Sequence, residues 1–240
     1  MKKPQFKDWI IEEDDNYIFI NKPPYVSSLD ERNSGDGTSI LRLAKEYFPE
    51  AQLAHRLDKE TSGILAIAKN PEAYRHLSIL FETRKIAKEY HAVVNGIQDL
   101  EGIRVYLPIL PLSNGTVKID KTKGKEAETI FFTLQAFKNA TLVRCLPVTG
   151  RMHQIRIHLA SAGAPIVSDV QYGGKHLYLS TFKRKFNLKK DTEELPLIQR
   201  VALHANSLIF NDINDIERKI TAPYPKDFQV LVKKLEEYSS

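Results

Sequence analysis

Three ionisable side chains, His55, Arg56 and Asp58, fall within four positions, and the turn-forming Thr61-Ser62-Gly63 follows at once. A short apolar run comes next, Ile64-Leu65-Ala66-Ile67-Ala68. Its length and its bounds, Gly63 and Lys69, are those of a buried strand. A carboxylate just ahead of a turn that feeds such a strand sits on a rigid element with its head at the rim. Catalytic groups are usually presented in this way. The same spacing also fits an Asx-type turn in which Asp58 serves only its own backbone.

A second cluster, Gly150-Arg151-Met152-His153-Gln154-Ile155-Arg156-Ile157-His158-Leu159, carries two arginines, two histidines and a glutamine. Alternation at Ile155, Ile157 and Leu159 suits a strand, whereas Ile155, Leu159 and Ala162 repeat at helical spacing. With Gly163 as a C-cap, residues 151–162 read as a helix. Arg151, Gln154 and His158 then share one face, and Ile155 and Leu159 point inward. Arg156 lies beside the apolar stripe, and a buried arginine needs an anion. Asp58 is a candidate partner, and the pair would keep that carboxylate ionised. A solvated amphipathic helix is the plainer alternative. Taken singly, Tyr90 reads as a core aromatic of a strand, His55 and His204 as structural histidines, and the lysine runs at 118–125 and 183–190 as solvated surface.

The elements that must position these groups are mostly strands. Residues 17–20 are β-branched and aromatic and stop at Asn21-Lys22-Pro23-Pro24, because prolines cannot donate to a ladder. Thr38 can cap a helix to about Tyr47, ended by Pro49, and Asn70-Pro71 opens a second helix. Residues 90–94 form a strand ending at the turn pair Asn95-Gly96. Short strands broken by Pro108, Pro111 and Asn114-Gly115 follow, and 118–125 reads as an exposed hairpin tip. Longer strands cover 127–137 and 141–148. Residues 173–200 form a basic irregular excursion, 201–210 another strand, and 225–237 a final helix. Short turns between neighbouring strands favour antiparallel pairing, and helices occur singly. The expected class is α+β, one domain over residues 1–240, with no regular βαβ alternation.

Several classes fall away. No apolar run approaches bilayer length, and the amino terminus has basic residues but no apolar core of a signal peptide. Cys145 is the only cysteine, so an internal disulfide and a cysteine-based zinc site are excluded, which suits a reducing cytosol. No phosphate-binding glycine loop, His-Glu-x-x-His signature or nucleophile elbow is present. The net charge of +5 and pI of about 9.1 tilt the chain towards polyanions.

Taken together, five blocks in order resemble the RluA family of RNA pseudouridine synthases. They are His55-Arg56-Leu57-Asp58-Lys59-Glu60-Thr61-Ser62-Gly63, then Lys88-Glu89-Tyr90-His91-Ala92-Val93-Val94-Asn95-Gly96. Thr149-Gly150 with the basic cluster through Leu159 comes next. Ala164-Pro165-Ile166-Val167-Ser168-Asp169 with Tyr172-Gly173 follows, and then Leu203-His204-Ala205, with Ala222-Pro223 and Asp227-Phe228 near the end. The resemblance implies a mixed, largely antiparallel sheet flanked by helices around a central catalytic cleft. It implies an isomerase that breaks the N1–C1′ bond of a uridine in RNA, turns the uracil and joins C5 to C1′. It makes Asp58 the essential carboxylate, as nucleophile or as base at the sugar. Arg156 would pair with Asp58, Tyr90 would pack on the uracil, and Arg56 would take the place of the extruded base. His55, Arg151, His153 and Gln154 would join Arg56 among the RNA contacts. No cofactor and no metal are implied.

The implied partner is transfer RNA or large-subunit ribosomal RNA, met by a cytoplasmic monomer with no obligate protein partner and no membrane contact. Larger relatives carry an S4-type RNA-binding domain, which is not expected here because core-like sequence starts near Tyr17. The sequence departs from the family at Ser168, where glycine is usual, and at Asn211-Asp212, where His-Pro is often seen. Two other readings compete: a non-catalytic RNA binder on this fold, and a carboxylate hydrolase, for which Glu60 is a poor second carboxylate.

Overall fold

The computed structural model describes residues 5–30, 38–183, 186–187 and 192–238. In chain order its strands are β1 (Ile10–Glu13), β2 (Tyr17–Lys22), β3 (Ser62–Ala68), β4 (Ala87–Asn95), β5 (Ile103–Tyr106), β6 (Ile109–Pro111), β7 (Val117–Ile119), β8 (Glu128–Ala136), β9 (Ala140–Pro147), β10 (Leu203–Asn211) and β11 (Glu217–Thr221). The α-helices are α1 (Ile40–Tyr47), α2 (Pro71–Glu82), α3 (Gln154–Ser161) and α4 (Lys226–Glu237). This is the expected α+β class, with a largely antiparallel sheet and few helices. The chain divides into two compact units. One runs to Glu89 and adds Ala205–Pro223; the other takes Tyr90–His204 and the segment from Tyr224.

In the first unit the strands lie in the order β1, β2, β3, β10, with β11 on β10. β2 and β3 pair antiparallel from Tyr17 with Ala68 to Lys22 with Gly63. β3 is buried along its whole length, as its uninterrupted apolar run demands. The strand starts at Ser62, earlier than the apolar run alone suggests, and Gly63 is part of it. Gly63 has φ +116, and a Cβ there would lie 2.1 Å from the Ala205 carbonyl oxygen. Only glycine lets β10 come this close. α2 starts where Asn70-Pro71 places it, with the Asn70 side chain accepting from the Ala73 N–H. The cap of α1 is Ser39, which accepts from the Arg42 N–H, and not Thr38. β1 was not anticipated, because its two glutamates mask a short, half-exposed edge strand.

In the second unit β4, β9, β8 and β5 form an antiparallel run. Its core includes Val93, Phe131, Val143, Leu159, Phe228 and Leu231. Arg200 is fully buried, yet every guanidinium nitrogen is used: Nε and Nη2 donate to Asp227, and Nη1 to the carbonyls of Val201 and Leu203. Arg200 lowers the pKa of Asp227 against the opposing effect of burial. The anion sits in the first turn of α4, where the helix dipole also favours it.

β6 and β7 make a separate hairpin whose turn lies at 112–116, closed by Leu112 N–H to Thr116 O. The lysine segment 118–125 therefore begins on β7 and continues into the following loop, and is not the hairpin tip. Among the described residues the irregular excursion after residue 173 contains one short 3-10 turn, Leu179–Thr181, and another, Val170–Tyr172, just precedes it. Its basic groups Arg184, Lys185, Lys189 and Lys190, like the loop positions 31–37, lie outside the described residues. Among the described residues no helix is long and apolar enough to cross a membrane.

Replacing Gly63 by alanine should destabilise the protein by at least ~2 kcal/mol, since it adds both a strained φ and a backbone collision. Gly115→Ala is the matched control: its φ is +79 but nothing lies near its Cβ direction. Urea unfolding of both should show the larger loss at Gly63; equal losses would remove the close approach as the cause.

Candidate active site

Asp58 sits in the first unit on a turn closed by Thr61 N–H to Asp58 O at 3.1 Å. Segment 22–28 grips the backbone on both sides of it. The Ser28 hydroxyl donates to Leu57 O at 2.7 Å and accepts from the Leu57 N–H at 3.0 Å. The Lys59 carbonyl accepts from Tyr25 N–H at 2.8 Å and from Lys22 Nζ at 3.2 Å. Lys22 is wholly buried, and its ammonium also donates to the carbonyls of Pro23 and Val26, both at 2.9 Å. These bonds hold the Asp58 turn from two directions while Leu57 is buried beneath it. Asp58 itself is half-buried and Arg56 exposed. Lys22 and Ser28 went unrecognised in the sequence, where Asn21-Lys22-Pro23-Pro24 signals only the end of a strand.

His55 is built into the fold. Its ring stacks on Phe81 of α2 with centroids 4.3 Å apart, and its Nε2 accepts from the Ala66 N–H at 2.9 Å. An acceptor nitrogen must be unprotonated. Burial, with the Lys88 charge, lowers the His55 pKa to about 3. Lys88 is itself pulled down to about 8 by burial and by Arg84. His55 thus orients the loop as a neutral ring.

The remaining candidates stand in the second unit. Tyr90 on β4 is half-buried against its core, opposite Cys145 of β9. Arg156 is buried on α3 and held in a fixed plane. Its Nε and Nη2 donate to the two Asp169 oxygens at 2.8 and 2.7 Å, Nη2 also donates to Gln171 Oε1 at 2.8 Å, and the guanidinium lies 4.9 Å from the Tyr172 ring centroid. Asp169 as an anion for Arg156 was not foreseen, although Ser168-Asp169 and Tyr172-Gly173 stood out as a block. The bidentate fork fixes orientation as well as charge.

α3 is shorter and more buried than expected. It covers Gln154–Ser161, and Gln154, Ile155, Arg156, His158 and Leu159 are all buried. Its end is a Schellman motif: Gly163, φ +78, donates to Ala160 O, and Ala164 to Leu159 O. The shared polar face of Arg151, Gln154 and His158 does not form. Arg151 precedes the helix and is exposed, while the other two enter one buried hydrogen-bond chain. Gln154 Oε1 accepts from the Thr149 hydroxyl and the Arg151 N–H, and its Nε2 donates to Glu128 O and Thr129 Oγ1. Thr129 donates to His158 Nδ1, and His158 Nε2 to Leu107 O. Burial lowers the His158 pKa, which suits this neutral tautomer. Spacing suggested amphipathicity because polar types are not always solvated; here β8 supplies partners.

His153 caps α3 in a left-handed conformation, φ 52, and its Nδ1 bonds the Tyr172 hydroxyl at 2.8 Å. That hydroxyl also accepts from the Val117 N–H of β7, so Tyr172 ties the small hairpin to the start of α3. Ser168 has φ 64, the region glycine favours. Its hydroxyl donates to Ile198 O at 2.7 Å and bonds His176 Nδ1 at 2.9 Å, which offsets the backbone strain. At the other departure, Asp212 accepts from the N–H groups of Asn214 and Ile216 and closes the turn with its carboxylate.

Because His55 is neutral in the fold and protonates more readily when unfolded, its contribution is complete above pH ~6.5 and shrinks as pH falls towards 3. Between pH 7 and 5 this amounts to about 2 kcal/mol. His55→Gln keeps an acceptor for Ala66 and removes the titration, so its stability should fall less on acidification by about that amount in urea unfolding at each pH. Parallel pH profiles would refute the assignment. Gln154→Leu strands several buried partners and should cost roughly 2–4 kcal/mol in the same measurement; a cost below ~1 kcal/mol would show the chain of bonds to be dispensable.

A family model for RNA pseudouridylate synthase matches residues 16–161. Ribosomal large subunit pseudouridine synthase C of Buchnera aphidicola subsp. Baizongia pistaciae is 36% identical over 240 residues, covering 96% of this chain and 71% of that protein. The protein of the same name from Escherichia coli K12 is 35% identical, covering 95% and 70%. Among solved structures, human RNA pseudouridylate synthase domain containing 4 superposes with a TM-score of 0.76 at 25% identity, over 96% of this chain and 94% of that one. The chain therefore belongs to the RNA pseudouridylate synthase family, the isomerases that make pseudouridine in RNA.

Proposed function

We propose that this chain isomerises specific uridines of large-subunit ribosomal RNA, with Asp58 as the essential carboxylate. The observation that carries this is the Asp58 turn itself: its flanking carbonyls and amides are immobilised by Lys22, Tyr25 and Ser28, while Asp58 stays half-exposed. A rigidly held carboxylate can meet a sugar carbon or sugar proton without first paying an ordering entropy.

The chemistry needs no redox change and no group donor. The target uridine leaves its stack at a cost of a few kcal/mol, which contacts to phosphates offset. Asp58 then acts at the ribose, as nucleophile at C1′ or as base at the sugar. The N1–C1′ bond breaks, the uracil turns, C5 bonds C1′, and the C5 proton leaves while N1 gains one, so that the product is an isomer of the substrate. By the family resemblance Tyr90 packs on the uracil, Arg156 supplies the fixed guanidinium that keeps negative charge in place, and Arg56 fills the space of the extruded base. Arg56 and Arg151 are exposed and suit direct RNA contact. His55, His153 and Gln154 support the RNA-binding loops through their bonds to protein partners. We read both units as one catalytic domain working as a cytoplasmic monomer. The relatives' names point to large-subunit ribosomal RNA; transfer RNA is the alternative that the family resemblance implies.

Pseudouridine mapping on total RNA from cells lacking this protein tests the proposal, with wild type or Asp58→Asn added back. One or a few sites should return with wild type only, and activity of the variant should fall at least ~10³-fold if the carboxylate reacts directly. Sites restored equally by both would remove Asp58 from the chemistry. RNA binding with no site restored would favour the non-catalytic reading.

A further inference from the structure

We propose that Tyr25 is a base-stacking platform: its ring lies against a nucleobase of the RNA beside the uridine that Asp58 transforms. This rests on the reading of the chain as an RNA isomerase and adds a substrate contact to it.

Two independent observations meet at this residue. Tyr25 is 53% exposed, whereas Tyr17, Phe19 and Phe210 of the same unit are buried. The backbone of Tyr25 also has φ 67. A bulky side chain at positive φ is a genuine outlier, and strain of this kind gathers at functional sites. Glycine would make the same turn without strain. Tyrosine makes it at a cost, and half of its surface remains in water.

The turn around Tyr25 is rigid. Pro23 and Pro24 precede it, with fixed φ. The Lys22 ammonium closes it by bonding the carbonyls of Pro23 and Val26. Beyond it, Ser27 O and Ser28 O accept from the N–H groups of Ile40 and Leu41 in α1. The Tyr25 N–H itself donates to Lys59 O, one residue past Asp58. The ring is therefore rooted beside the reacting carboxylate and loses little freedom on binding, having only two side-chain torsions.

What such a ring can recognise follows from its chemistry. A neutral aromatic offers a π-face, and every nucleobase has one, so stacking tolerates any sequence. A flipped uridine leaves neighbours unstacked, and these need a replacement surface. Exposed Arg56 on the adjoining loop presents a second planar group. Phosphate contacts fix register but do not replace lost stacking.

The test compares wild type with Tyr25→Gly, Tyr25→Ala and Tyr25→Trp. The RNA probe is a labelled fragment centred on a uridine found by the mapping above. Removing the ring should raise KM and weaken binding about tenfold or more, the scale of one lost base stack. Tyr25→Trp should keep wild-type values. Tyr25→Gly should melt at the same or a higher temperature than wild type while binding worse, an opposition that a purely structural role would not produce. The loss should also be equal at low and high salt, since stacking releases no counterions. Unchanged KM and binding in both the glycine and alanine variants would overturn the proposal, and so would a fall in kcat alone with a lower melting temperature. If wild type modifies no RNA, the isomerase reading fails separately; binding of labelled oligouridylate then decides on Tyr25, with equal binding by wild type and Tyr25→Ala overturning it.

Discussion

The carbonyl of Lys59 organises the end of the first unit that carries Asp58. A backbone oxygen that is taken from water must find a donor, and this one finds two, Tyr25 N–H and the buried Lys22 ammonium. An ammonium buried without several acceptors would be strongly unfavourable, so Lys22 fixes the shape of the chain around it. Three carbonyls from Pro23, Val26 and Lys59 converge on it. With Ser28 bonded both ways to Leu57, the 22–28 segment and the Asp58 turn become one block. Tyr25, at φ 67, gives its N–H to the same carbonyl.

The second unit solves a similar problem with a different donor. Arg156 and Arg200 are both buried, and each is matched by a bidentate carboxylate, Asp169 and Asp227. Breaking such a pair leaves an unpaired interior charge, so each arginine is a strong organiser even where its net stabilisation is small. The chain of bonds from Thr149 through Gln154, Thr129 and His158 to Leu107 does the same for neutral groups. It links β8 to α3, and so places the helix that carries Arg156. Tyr172 adds a further tie, from the small hairpin to His153.

Departures from the family pattern become intelligible at this level. Ser168 occupies a left-handed position at a cost of about 1–2 kcal/mol, and its hydroxyl recovers two bonds, to Ile198 O and His176. Asp212 closes its turn with two backbone amides and lies 3.4 Å from Arg218. At each position the side chain bonds its own local backbone or neighbour: the Ser168 hydroxyl meets Ile198 O and His176, and the Asp212 carboxylate meets the amides of its turn.

Much of this protein was legible in its residues. Uninterrupted apolar runs located β2 and β3, the Asn70-Pro71 pair started α2, and five ordered blocks around Asp58 and Arg156 pointed to an RNA pseudouridine synthase. Periodicity and turn chemistry are local, so sequence carries them directly. Tertiary structure decided which partner each buried polar group meets. Spacing suggested a solvated face for Gln154 and His158, and it could not show that β8 would supply hydrogen-bond partners for both. Nor could it pair Lys22 with the Lys59 carbonyl, 37 positions away, or Ser168 with Ile198. Such pairings depend on where distant segments pack, and the requirement that every interior charge and amide be satisfied selects them only once the chain is folded.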